Sequence, residues 1–117
     1  MGGEGTALSA RDWHVLVALA ERHLHGYGIM KAVERDSGGS VTAEIGSLYR
    51  VLDRLLGEGL VSKVDAPEDA PTETRGRPRQ YYGLTVEGRA ALRQEALRLR
   101  GALELAEARH LLPGRTR

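Results

Sequence analysis

Ile45-Gly46-Ser47-Leu48-Tyr49-Arg50-Val51-Leu52-Asp53-Arg54-Leu55-Leu56-Gly57-Glu58-Gly59-Leu60-Val61-Ser62-Lys63-Val64 is the stretch that decides the fold. Ile45, Leu48, Leu52, Leu55 and Leu56 follow spacings of 3, 4, 3 and 1, an apolar stripe along one side of an α-helix. Gly59 stands where a left-handed cap residue ends such a helix, and Leu60 is placed to touch Leu55, the contact of a Schellman ending. The opposite face carries Ser47, Arg50 and Arg54, with Tyr49 beside them. Residues 60–64 then alternate apolar and polar, as a half-buried strand does.

Downstream, Arg79-Gln80-Tyr81-Tyr82-Gly83-Leu84 reads as a second strand, with one tyrosine expected inside and the other outside. About 14 residues separate the strands, with Pro67, Pro71, Gly76 and Pro78 among them, so the two form a β-hairpin with a long tip. Upstream, Ser9-x-x-Asp12 is a capping pattern. Trp13, Leu16, Val17 and Ala20 predict a helix over residues 10–23, with Trp13 serving core or interface. His25-Gly26 interrupts, and a shorter helix with Tyr27, Met30 and Val33 on one face runs to Ser37-Gly38-Gly39. Thr85 caps a last helix reaching about Leu112, which Pro113-Gly114 stops. Leu92, Ala96, Leu99, Leu103 and Ala106 form a heptad seam along it.

The fold class is therefore mainly α with a small β-hairpin: a winged helix-turn-helix plus a C-terminal dimerisation helix. The chain divides into a tail (1–8), a DNA-binding winged helix (9–84), the dimerisation helix (85–112) and a short end (113–117). Three helices and a hairpin leave few places for that last helix to fold back, so a second copy is expected to cover it.

With 117 residues and 12.7 kDa, the chain amounts to one domain. It has no cysteine, which excludes disulfide scaffolds, thiolate metal sites and thiol nucleophiles. It has no apolar run of membrane-spanning length, and its first residues do not read as a secretory signal, so a cytoplasmic protein without a membrane partner is expected. Gly2 and Thr6 fit a myristoylation pattern too short to carry weight.

The net charge of +1 conceals an uneven distribution. Residues 1–46 hold four basic and six acidic side chains, residues 47–84 six of each, and residues 85–117 seven basic and four acidic. Within the hairpin tip Asp65, Glu68, Asp69 and Glu73 precede Arg75, Arg77 and Arg79. Local density, rather than net charge, governs contact with phosphates.

A major groove admits one helix, and a hairpin beside it reaches the neighbouring backbone. Arg50 and Arg54 are then candidates for base edges, Ser47 and Tyr49 for phosphates at the helix start, and Lys63, Arg75, Arg77 and Arg79 for the flanking backbone or minor groove. His14, His23, His25 and His110 lack metal-ligand spacing. Gly38-Gly39 is followed by Ser40-Val41 and not by the lysine of a phosphate loop, and no serine sits in a nucleophile elbow. An enzyme, a cofactor and a metal are not expected.

The run Gly46 to Leu55 with Glu58-Gly59-Leu60-Val61 resembles the recognition helix and first wing strand of the PadR family of bacterial transcriptional regulators. His25-Gly26-Tyr27-Gly28-Ile29 and the wing segment Gly76 to Gly88 are similar to the same family, so the resemblance spans roughly residues 8–110. It implies a homodimeric winged-helix repressor of the compact branch, binding double-stranded DNA at an inverted repeat and pairing through its last helix. That helix lacks the tryptophan with which some drug-sensing members stack a flat ligand, so a similar pore is not implied. Release by a small-molecule effector stays open, as does the alternative of a winged-helix protein–protein adaptor.

Overall fold

The computed structural model describes residues 8–70 and 79–113. Ser9 Oγ accepts the Asp12 N–H at 3.0 Å and starts α1 (Ala10–Glu21), whose Val15, Leu16 and Leu19 are buried. The chain then forms the two-residue strand β1 (Leu24–His25) and turns into α2 (Gly26–Asp36). The ring of His25 caps this helix, its Nδ1 accepting the Gly28 N–H at 3.2 Å. Gly38 and Gly39, at φ 64° and 85°, carry the chain round to α3 (Ile45–Gly57), which buries Leu48, Val51, Leu52 and Leu55.

The end of α3 has the two hydrogen bonds of a Schellman motif. The Leu60 N–H donates to Leu55 O at 3.0 Å, the Gly59 N–H donates to Leu56 O at 3.1 Å, and Gly59 has φ 78°. Strands β2 (Val61–Val64) and β3 (Tyr81–Leu84) pair antiparallel, Val61 opposite Leu84 and Val64 opposite Tyr81. β1 adds to the far side of β3, so the sheet order is β1-β3-β2.

Two expectations change here. The break at His25-Gly26 is a third strand joined to a helix cap, and two residues are too few to show strand periodicity. Tyr81 and Tyr82 are both buried, because β3 is the central strand and is covered on both faces. Tyr82 belongs to the core with Leu48, Leu52 and Val61, and Tyr81 meets the edge of the His25 ring at a centroid distance of 5.2 Å.

α4 (Val86–Ala108) is capped by Thr85, whose Oγ1 accepts the Gly88 N–H at 2.9 Å. It ends earlier than Pro113 demands: His110 takes φ 60°, and the Leu111 N–H closes the last turn on Ala106 O at 2.9 Å. Its first turns pack on α1 through Leu92, and buried Glu95 accepts from Arg98 and, at 3.5 Å, from the Leu8 N–H. These donors hold the Glu95 carboxyl below its ordinary value, with Arg98 the larger cause. No described helix is long and apolar enough to cross a membrane, and the described residues contain no cluster of three potential metal ligands.

Gly88 lies directly on the Leu60 carbonyl, so a methyl there would collide with that oxygen and stand 2.7 Å from Leu84 Cδ1. Gly57 faces open space. In thermal denaturation followed by circular dichroism, Gly88→Ala is expected to lose about 2 kcal/mol or more, and Gly57→Ala to gain about 0.5–1 kcal/mol. Equal effects from the two changes would contradict this packing.

Candidate nucleic-acid interface

Burying Leu48, Val51, Leu52 and Leu55 decides what the rest of α3 presents to water. Tyr49, Arg50 and Asp53 lie exposed on its outer side, and Ser47 is half-buried at its first turn. The N-cap residue Glu44 makes no side-chain hydrogen bond to that turn. The Tyr49 ring lies over the backbone of Gly26: a Cβ there would come within 2.6 Å of the tyrosine hydroxyl. Absence of a side chain at Gly26 therefore sets where Tyr49 stands.

The hairpin adds cations on the same side. Lys63 pairs with Tyr82 across the ladder, which places both on the sheet face that carries Val61 into the core. The Lys63 side chain is exposed, while burial, with Tyr49 and Asp53 nearby, pushes the Tyr82 phenol up from its ordinary value. Arg79 is exposed just before β3, with Nη1 2.9 Å from His25 Nε2. His25, Gly26, Tyr27, Ile45, Tyr49 and Arg79 line an open recess between the hairpin base and α3. The candidates Arg75 and Arg77 lie outside the described residues.

Arg54 stands differently from the groove-facing role its spacing suggested. Its Nη2 donates to Asp12 Oδ1 at 2.7 Å, and Glu58 lies 3.6 Å from Nη1. The hydrogen bond to Asp12, chiefly, raises the guanidinium's pKa from its ordinary value. Sequence spacing could place Arg54 on a helix face, but it could not reveal a buried carboxylate from α1 beside it. His25 lines the same recess without a sequence signal, because histidine is not among the usual N-cap residues and its bond to the Gly28 amide exists only in the folded chain.

A sequence model of the transcriptional regulator PadR-like family matches residues 15–94. This chain belongs to the PadR-like family. A PadR family transcription regulator from Clostridium difficile R20291 superposes with a TM-score of 0.67 at 23% identity, over 86% of this chain and 97% of that one. Bacillus subtilis PadR, solved in complex with operator DNA, superposes with a TM-score of 0.58 at 22% identity, over 74% of this chain and 46% of that one. An uncharacterised 37.1 kDa protein of a Streptomyces fradiae transposon is 43% identical over 82 residues, which is 70% of this chain and 21% of that protein. The chain thus spans about a fifth of that relative's length. At these identities the solved PadR structures speak for the winged-helix fold and not for individual contacts.

The PadR-like match ends at residue 94, within α4, and the expected seam of that helix divides in two. Leu92 is buried in the protomer's own core, against the expectation that it is open to a partner. Ala96, Leu99 and Leu103 are exposed and Ala106 half-buried. Gly88, Leu92 and Glu95 are buried on the stripe that Leu99, Leu103 and Ala106 continue, so one helix face is covered at its start and uncovered beyond. Leu97 and Leu105 are also exposed, away from that stripe.

Arg54→Ala leaves the Asp12 carboxylate, 8% exposed, without its guanidinium. The expected cost is about 1–2 kcal/mol, discounted for the solvent that reaches Arg54. Chemical denaturation would show it, and an unchanged midpoint would mean that the pair contributes nothing.

Proposed function

We propose that this chain is a DNA-binding transcriptional repressor acting as a homodimer on an inverted-repeat operator. The observation that carries the reading is the outer side of α3. Tyr49 and Arg50 stand exposed there, flanked by Lys63 and Arg79 from the hairpin. The width of α3 suits a major groove, and an exposed Arg at its centre suits the acceptors of a guanine edge. Ser47 and Tyr49 are assigned to phosphates at the start of α3, where the amide dipoles favour an anion. Lys63 and Arg79 are assigned to the flanking backbone, together with Arg75 and Arg77 of the wing loop. Arg54 serves this surface from behind, by holding α3 against α1.

If each half-site engages about four phosphates, log K should fall with log salt at a slope near −7 for a dimer. Fluorescence anisotropy on a labelled duplex measures it, and a flat dependence would sink DNA binding. Arg50→Ala is expected to leave the thermal midpoint in place, to cost about 1–3 kcal/mol of binding and to blur one operator position in a randomised-site selection.

The homodimer reading is supported by α4. A leucine and alanine stripe that is buried in its first turns and then runs uncovered suits a second copy of the same helix. Two-fold pairing there would set the α3 helices about one DNA turn apart, roughly 34–36 Å. Any small-molecule effector would have this pairing as its lever. Leu99→Glu with Leu103→Glu is expected to give a folded monomer in light scattering and to weaken duplex binding at least about tenfold. A wild-type chain that is monomeric at micromolar concentration would overturn the dimer.

A further inference from the structure

Ile45 opens α3 and belongs by spacing to the stripe that the helix buries, yet it is 43% exposed, whereas Leu48, Leu52 and Leu55 are fully enclosed. Neither local structure nor packing asks for isoleucine there. A β-branched residue is a weaker helix former than alanine or leucine, and Ile45 takes no part in the core cluster. Two aromatic side chains beside it are also left in water. Tyr49, one turn further along α3, is 42% exposed, and Tyr27 of α2 is 51% exposed. All three line the one open recess between the hairpin base and α3. Gly46, next in the chain, carries no side chain and faces open space among the described residues, so the first turn of α3 is open to close approach.

The rim of this apolar patch is cationic. The Lys31 ammonium lies 5.4 Å over the Tyr27 ring, Arg79 lines the recess, and Arg50 stands exposed next to Tyr49. No carboxylate lines the recess, and Glu44, the N-cap of α3, stands outside it. An apolar floor within a cationic rim is complementary to an apolar point within a polyanion. On the major-groove edge of a DNA duplex, that point is the C5-methyl of thymine. We propose that Ile45, flanked by the rings of Tyr27 and Tyr49, reads the methyl of one thymine in each operator half-site, an assignment that rests on the DNA-binding reading above. The first residues of a recognition helix are those that meet base edges. Tyr49 serves twice: its hydroxyl, over Gly26, is assigned to a phosphate, and its ring walls the recess. Ile45 and Arg50 are separated by about 7.5 Å along the helix axis, or roughly two base-pair steps. The thymine is therefore expected within about three base pairs of the guanine assigned to Arg50.

Removing one methyl from the DNA tests this. Selection by the wild-type chain from duplexes randomised over about 30 base pairs is expected to enrich thymine at one such position of each half-site. Each enriched thymine is then replaced in turn by deoxyuridine, which keeps every hydrogen-bonding group and lacks only the methyl. At the proposed position the change should weaken binding about three- to fourfold in one half-site and about tenfold in both, with the salt slope unchanged. Cytosine placed there should bind about three- to fourfold better when it is 5-methylated. Ile45→Ala should bind the thymine and deoxyuridine duplexes equally, with its thermal midpoint within about 2 °C of wild type and its light scattering unchanged. Lys63→Gln should weaken both duplexes alike and keep the difference between them.

Equal binding of the two duplexes by the wild-type chain, a full difference retained by Ile45→Ala, or a selection that enriches no thymine near the Arg50 position would each overturn methyl reading and leave DNA binding standing. Loss of the dimer in Ile45→Ala would give the patch to a second copy of the chain and overturn the proposal as well. Failure of the wild-type chain to bind any duplex at low salt would instead overturn DNA binding itself, and the methyl contact with it.

Discussion

Leu60 is the residue on which the separate parts of this molecule are joined. Its N–H closes α3 on Leu55, and its carbonyl accepts the Thr85 N–H at 3.2 Å. The Thr85 hydroxyl donates to the neighbouring Gly59 carbonyl at 2.7 Å and also caps α4. Gly88, with no side chain, brings the first turn of α4 down onto that same peptide. One short segment thus ends the helix with the candidate base-reading residues, starts the hairpin, and sets the direction in which α4 leaves. A disturbance there would change the angle between the DNA-facing surface and the helix assigned to pairing.

The charged groups divide between the fold and the surface. Arg54 and Arg98 are held by carboxylates of their own chain, Asp12 and Glu95, and both carboxylates are buried. Each pair ties elements near the N-terminus to the rest: Asp12 links α1 to α3, and Glu95 reaches the Leu8 amide from α4. Arg50 and Lys63 stand exposed, while Arg79 lies against His25. A net charge near zero is compatible with binding DNA because local charge density, rather than the sum over the chain, governs contact with phosphates.

Much of the architecture was legible because it rests on local rules. The stripe from Leu48 to Leu55, the Gly59 ending, the Ser9 and Thr85 caps and the two hairpin strands follow from spacing and cap chemistry, and the structure has them within a few residues. What was not legible depends on partners distant in sequence. Strand β1 exists only because Tyr81 and Tyr82 offer it an edge. Both tyrosines are buried because β1 makes β3 central, a circumstance that strand alternation cannot signal. Leu92 and Leu99 look alike in a heptad count, yet only Leu92 has α1 beneath it.

The sequence by itself determined the element types, their order, the apolar face of each helix and the PadR resemblance, because each follows from the periodicity and chemistry of neighbouring residues. Only the tertiary structure decided the roles of residues of identical type. It set Arg54 on a carboxylate and left Arg50 in the open, and it turned His25 from a break between helices into a cap facing Arg79. The physical reason is that a side chain's hydrogen-bonding and electrostatic role is set by the groups within a few ångströms of it. For Arg54 and His25 those groups come from 42 and 54 residues away along the chain.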